Sequence, residues 1–242
     1  MSSVAHCFGQ AASDYDQHAA LQRLAGQRLL AQARPADTWL DLGTGTGQVA
    51  RQLPGRRVLA LDLAPAMLRQ AAQQGTAHLI CGDITRLPLQ ASSVDGIAAN
   101  LSLQWCDPLA DTLTGLANAL RPGGQLLATV PLAHTFPELR PLCNQGLLAC
   151  NRFATTQALA ATLADGPWAQ TRLTPFTEVV HFDSPRALLG HFKATGAHHS
   201  PERHPGLRGR QWWQRLNAEL ARHRDAQGYR LTWHLAILEA TR

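Results

Sequence analysis

The chain has 242 residues, enough for one large α/β domain with room for an embedded subdomain. Apolar residues make up 45% of it, which excludes a disordered chain, and no apolar run is long enough to cross a bilayer. The net charge of +5, with arginine far ahead of lysine, suits an acidic partner such as nucleic acid, an acidic protein or an anionic metabolite, and is equally ordinary as solubility charge.

Residues 1–10 lack a basic segment followed by an apolar core, so a secretory signal is not expected and a cytoplasmic location is. Phe8, Ala12, Tyr15, Leu21, Leu24, Leu29 and Leu30 recur at roughly helical spacing and predict one or two amphipathic helices that Pro35 ends. Residues 38–42 read as a short buried strand running into Gly43-Thr44-Gly45-Thr46-Gly47, with a helix over 48–53 broken by Pro54-Gly55. Further strands are predicted at 57–63, 77–83, 94–100 and 125–130, with helices at 66–73 and 109–120 between them. Strict alternation of strand and helix implies a doubly wound, mostly parallel Rossmann-like sheet. Past Pro131 the alternation breaks. Helices are predicted at 138–150, 156–164, 185–192 and 211–224, a strand at 174–182, a loop at 194–210, and a final strand at 229–239. The fold expected is α/β with seven strands, the last antiparallel, plus helical lid and substrate elements. Within one domain, 1–35 would form lid helices, 36–131 the cofactor half, 132–228 the substrate side and 229–242 the last strand. Cys7, Cys81, Cys106, Cys143 and Cys150 are odd in number and form no CxxC pair, so free, mostly buried thiols and no metal site are expected.

The glycine loop is where a ligand would lie against main-chain N–H groups, since glycine has no Cβ to hold it off. Two cofactors use such loops. A dinucleotide needs GxGxxG with its pyrophosphate over a helix N-terminus. Here the glycines alternate at 43, 45 and 47, and Asp41 stands just before them. That carboxylate would repel a pyrophosphate and attract an ammonium or, through water, a sulfonium-bearing amino acid; S-adenosylmethionine carries both positive groups.

Asp41-Leu42-Gly43-Thr44-Gly45-Thr46-Gly47 resembles the first motif of class I S-adenosylmethionine-dependent methyltransferases. Asp62 follows at the end of the next strand, where an acid can accept both ribose hydroxyls. Asp83 in Gly82-Asp83-Ile84 matches the residue that contacts the adenine amino group. Asn100 ends the fourth strand, where such enzymes begin their catalytic loop, and Arg121-Pro122-Gly123-Gly124 matches the turn before the fifth. The cofactor set this resemblance implies is Asp41, Gly43, Thr44, Gly45, Gly47, Asp62, Leu63, Met67, Asp83, Ile84 and Asn100. The segment Asn100-Leu101-Ser102-Leu103-Gln104-Trp105-Cys106 lacks the prolines and the stacking aromatic of base methylases, which argues against nucleic acid as substrate.

That segment, with others, resembles the malonyl-[acyl-carrier protein] O-methyltransferases of biotin synthesis. Residues 8–19 resemble that family's F-x-x-A-A-x-x-Y-(D/E)-x-H-A signature, 61–68 its second segment, and Tyr229-Arg230-Leu231-Thr232-Trp233-His234 its Y-P-L-T-Y-H. Asn151-Arg152-Phe153 and 193–197 match later segments. The resemblance implies methyl transfer from S-adenosylmethionine to the free carboxylate of malonyl-acyl carrier protein, an acidic partner, with neither nucleic acid nor membrane involved. Another small carboxylic acid or a quinone-type metabolite remains the alternative substrate. Arg152 and Lys193 are candidates to hold the carboxylate, because arginine presents a planar fork to it. Tyr15, His18 and Trp105 are candidates for lid and pocket wall. Arg203, Arg208, Arg210, Arg215, Arg222 and Arg224 are candidates for a carrier-protein surface.

Overall fold

In the computed structural model, which describes His6, Phe8, Gly9, Ala12 and residues 15–148, 150–194 and 209–242, the sheet is built on the strand before the glycine loop. In chain order the strands are β1 (Ala36–Leu42), β2 (Gly55–Asp62), β3 (Leu79–Cys81), β4 (Val94–Asn100), β5 (Leu120–Pro131), β6 (Gln170–Phe182), β7 (Arg224–Asp225) and β8 (Gly228–Thr241). The helices are α1 (Tyr15–His18), α2 (Ala20–Leu30), α3 (Pro65–Gln73), α4 (Leu109–Ala119), α5 (Arg140–Asn144), α6 (Thr156–Ala164), α7 (Pro185–Ala194) and α8 (Arg210–Ala221).

The sheet order is β3-β2-β1-β4-β5-β8-β6, with the two-residue β7 paired to the start of β8. β1 to β5 pair in parallel, and β8 runs antiparallel between β5 and β6. The expected doubly wound sheet with an antiparallel last strand is present, and the short β7 is an addition to it.

Side chains alternate across a strand, so neighbouring residues feed opposite cores. Leu40, Leu42, Ile97 and Leu126 pack on one face against Leu113 and Leu116 of α4 and Leu159 and Leu163 of α6. Trp39, Ala98 and Leu127 pack on the other against Leu29 of α2, Val49 and Leu53. A third cluster joins Leu21 and Ala25 of α2 to Leu139, Leu142, Leu188, Leu216 and Leu220, with Leu231, Trp233 and Leu235 of β8. The residues past Pro131 therefore pack onto the same sheet through α2 and β8. Among the described residues no helix is long and apolar enough to cross a membrane.

Three expectations change. The helix at 48–53 is a three-residue 3-10 turn, Ala50–Gln52, and the backbone is already extended at Leu53 before β2 starts at Gly55. The helix at 138–150 shortens to α5, since Gly146 turns to φ +67 and its N–H bonds to the Cys143 carbonyl. That turn also brings Cys143 and Cys150 together as a disulfide, with Cα atoms 5.9 Å apart, so these two are not free thiols. Cys81 is free and exposed and Cys106 is free and half-buried, which corrects the mostly buried expectation.

Trp39 is fully buried and lies in register with Gly96 of β4. A Cβ at Gly96 would come within 2.5 Å of the indole carbons, so the strand needs glycine there. Gly96→Ala should destabilise the fold by about 1–3 kcal/mol through overpacking. A urea midpoint equal to that of the unsubstituted chain would show that Trp39 repacks freely instead.

Candidate functional site

Parallel strands deliver their carboxyl ends to one edge of the sheet, where loops build binding sites. At that edge Gly43 leaves β1 with φ +64, and a Cβ there would meet the Ser102 side chain at 2.6 Å. Ser102 Oγ donates to the Leu42 carbonyl at 2.8 Å, and Thr44 N–H donates to the Leu61 carbonyl at 3.0 Å. The loop is thus clasped between the ends of β4 and β2. The Asp62 carboxylate accepts from Gly45 N–H and from Ala64 N–H, each at 2.8 Å. Burial pushes the Asp62 carboxyl up, while its bonds to the Ala64, Gly45 and Leu63 N–H groups pull it back.

A cavity of about 260 Å³ opens beside this loop. Gly43, Gly45, Asp62, Leu63, Met67, Asp83, Ile84 and Asn100 line it, together with Tyr15, Trp105 and Phe8. Asp41, Thr44 and Gly47 are not among the lining residues. Asp41 is 1% exposed, and its carboxyl accepts from the Thr44 hydroxyl at 2.6 Å. Burial pushes it up to about 7, against the pull of the Thr44 hydrogen bond. The carboxyl thus sits behind the loop, bonded to it at Thr44, and not on the cavity wall.

Two other expected residues have internal partners. Asp83 caps the 3-10 turn Ile84–Arg86, accepting from Thr85 N–H at 2.9 Å and Thr85 Oγ1 at 2.8 Å. Asn100 donates from Nδ2 to the Gln22 carbonyl at 2.9 Å and accepts from Thr129 Oγ1 at 2.6 Å. It ties α2 to the sheet, a role that its place at a strand end does not reveal. Ser102 was not expected at the site either; its signal is its place in the segment after β4. Phe8 is legible only within the N-terminal signature, and its ring meets that of Trp105 edge-on at 5.9 Å.

A second cavity, of about 670 Å³, shares Trp105, Cys106 and Asp107 with the first. Its other walls are the end of β5 at Val130 and Pro131, Leu109 and Leu159, and the segment Cys150–Ala154 that includes Arg152. Burial pushes the Cys106 thiol up to about 11, so it is protonated at neutral pH beside both cavities. Tyr15 and Trp105 are thus brought to the walls. His18 is exposed and lines neither of these cavities. Lys193 falls in α7, but its side chain lies outside the described residues, as do Arg203 and Arg208. Arg210, Arg215, Arg222 and Arg224 are exposed on and after α8; Arg222 pairs with Glu219 at 2.8 Å and Arg224 lies over the Tyr229 ring.

The methyltransferase domain family matches residues 40–128, from β1 into β5. A malonyl-[acyl-carrier protein] O-methyltransferase of Alcanivorax borkumensis is 37% identical, over 98% of this chain and 85% of that protein. Another, of Erwinia billingiae, is 36% identical over 96% of this chain and 94% of its own length. A solved structure of an S-adenosylmethionine-dependent methyltransferase of Thermotoga maritima aligns with a TM-score of 0.60 at 15% identity, over 98% of each chain, and is similar in fold alone.

The raised Asp41 carboxyl has a sign that can be checked. Between its unfolded value near 4 and its folded value of about 7, the folded state holds the extra proton. Its contribution to stability is therefore full below that window and is lost as pH rises through 7. Asp41→Asn should flatten this slope in ligand-free melts from pH 4.5 to 8. A wild-type-minus-variant difference that does not vary with pH would refute the assignment.

Proposed function

The chain belongs to the malonyl-[acyl-carrier protein] O-methyltransferases, and from that premise we propose that it moves a methyl group from S-adenosylmethionine to the free carboxylate of a malonyl thioester on an acyl-carrier protein. The product is the malonyl methyl ester, which the resemblance assigns to biotin synthesis. The observation that carries this reading is the meeting of two cavities at Trp105–Asp107, one under the glycine loop and one walled by Arg152.

The residues of the first cavity suit the cofactor. Gly43 and Gly45 bring backbone to its wall without a Cβ, and Asp62 and Asp83 present carboxyl groups to hydroxyl and amino donors. Leu63, Met67 and Ile84 supply apolar surface for a flat ring. S-adenosylmethionine, when bound, supplies an electrophilic methyl group on a sulfonium. Asp41, behind the loop, adds negative charge on the side of a cationic ligand once it is ionised.

The malonyl carboxylate is already ionised at neutral pH, since even the reference value for a side-chain carboxyl is about 3.9. No general base is required of the chain. Its tasks are to orient one carboxylate oxygen and to keep water out. Arg152 is the residue for the first task, with Lys193 as the second candidate. Trp105 and its neighbours form the wall between the two cavities and serve the second. Cys106, kept protonated by burial, is a poor nucleophile and so does not compete for the methyl group. Methylation removes the substrate's charge and with it the ion pair to Arg152, which lets the ester leave. The exposed arginines of α8 and the residues after it suit an acidic carrier face.

Labelled methyl transfer tests the reading. Malonyl-carrier protein should accept the label and acetyl-carrier protein, which has no free carboxylate, should not; labelling of the acetyl form, or of free acids in preference, would sink it. Raising ionic strength should slow the carrier-bound substrate more than a small malonyl thioester. Arg152→Ala should raise KM for the malonyl substrate roughly tenfold, the scale of one charge-assisted hydrogen bond, and leave KM for S-adenosylmethionine nearly unchanged. Equal effects on both would remove Arg152 from the carboxylate site.

A further inference from the structure

The turn α1 carries Tyr15 to the wall of the first cavity, yet it has four residues and none of them is buried. A single turn does not hold its own shape in water. Tyr15 rests against the apolar cluster of Ala12, Ala64 and Met67, and the polar hold of the turn centres on Asp16. Asp16 Oδ1 accepts from Thr46 Oγ1 at 2.7 Å, and Oδ2 accepts from Gln74 Nε2 at 2.7 Å. Its carbonyl oxygen accepts from the Arg23 guanidinium. Thr46 belongs to the glycine loop and Gln74 follows α3 directly, so one carboxylate joins α1 to both elements.

The partners are themselves fixed. Arg51 donates from Nη1 to the Thr46 carbonyl at 2.7 Å and from Nη2 to Gln74 Oε1 at 2.8 Å. With its oxygen held by Arg51, the Gln74 amide can only turn its NH₂ toward Asp16. The Tyr15 ring then stands 4.0 Å from where a Gly45 Cβ would be, over the middle glycine of the loop.

We propose that Asp16 is a positioning residue for the cofactor: its carboxylate latches the N-terminal turn to the glycine loop and to the end of α3, and so holds Tyr15 as a wall of the cofactor cavity. This rests on the reading of that cavity as the S-adenosylmethionine site. Arg51 keeps Thr46 and Gln74 in place without Asp16, so loss of the carboxylate falls on the turn and not on the fold.

Two measurements on the full chain test it. Amide hydrogen exchange of the ligand-free protein should quicken at Tyr15–His18 in Asp16→Ala, while the melting temperature stays close to that of the unsubstituted chain. Titration calorimetry should show S-adenosylmethionine bound roughly tenfold more weakly by the same variant. Asp16→Asn combined with Gln74→Glu exchanges donor for acceptor, leaves Arg51 a carboxylate to pair with, and should recover both readouts. Unchanged exchange at Tyr15–His18 overturns the latch. Faster exchange with unchanged affinity overturns the positioning role. Failure of the unsubstituted chain to bind S-adenosylmethionine would instead overturn the cofactor reading, and is seen without any variant.

Discussion

Leu42 of β1 lies in register with Leu61 of β2, and Asp41 with Ala98 of β4. Because these pairs are parallel, all three strands end at the same edge of the sheet. The loop after β1, Asp62 at the end of β2 and Asn100 at the end of β4 come together there without any one of them being near another in sequence. A one-residue slip would carry Asp41 and Leu40 each to the face it now turns away from. The Trp39–Gly96 contact guards against that slip, since the indole fits only over a residue without a Cβ.

Several polar side chains at this edge have protein partners of their own. Asp62 spans Gly45 and Ala64, Asp83 caps a turn, and Asn100 bridges Gln22 and Thr129. Asp62 is buried and needs such partners, while for the half-buried Asn100 and the exposed Asp83 the partners fix orientation. The cavity is thereby shaped by the same hydrogen bonds that hold loop, strand ends and α2 in place. Asp41 shows the cost of this arrangement: a carboxyl taken out of water resists ionising, and only the Thr44 hydroxyl and the backbone offset that.

The substrate side is braced differently. Glu138, with no exposed surface, accepts from Thr232 N–H at 3.0 Å and from the Thr232 hydroxyl, and pairs with Arg230 at 3.4 Å. Ala133 N–H donates to the Ala154 carbonyl at 2.8 Å, and the disulfide reaches the same segment at Cys150. The stretch that presents Arg152 is therefore tied to the chain following β5, which is tied in turn to β8. In the proposed reaction this is what would keep a cation in place for a small anionic group.

Sequence alone determined the alternation of strand and helix, the glycine loop, and the acids that end β2 and follow β3. These are local patterns: apolar runs, turn residues and short spacings. The resemblance at both ends of the chain and at residues 100–106 carried the family, and the relatives bear it out. Only the tertiary structure decided that Asp41 turns to Thr44, that Asn100 reaches back to Gln22, that Cys143 meets Cys150, that Asp16 meets Gln74, and that two cavities share Trp105. Each of these depends on where a side chain points after distant segments have packed. Residue spacing carries no record of that, because the hydrogen bonds and cavity walls exist only once the sheet has brought its strand ends together.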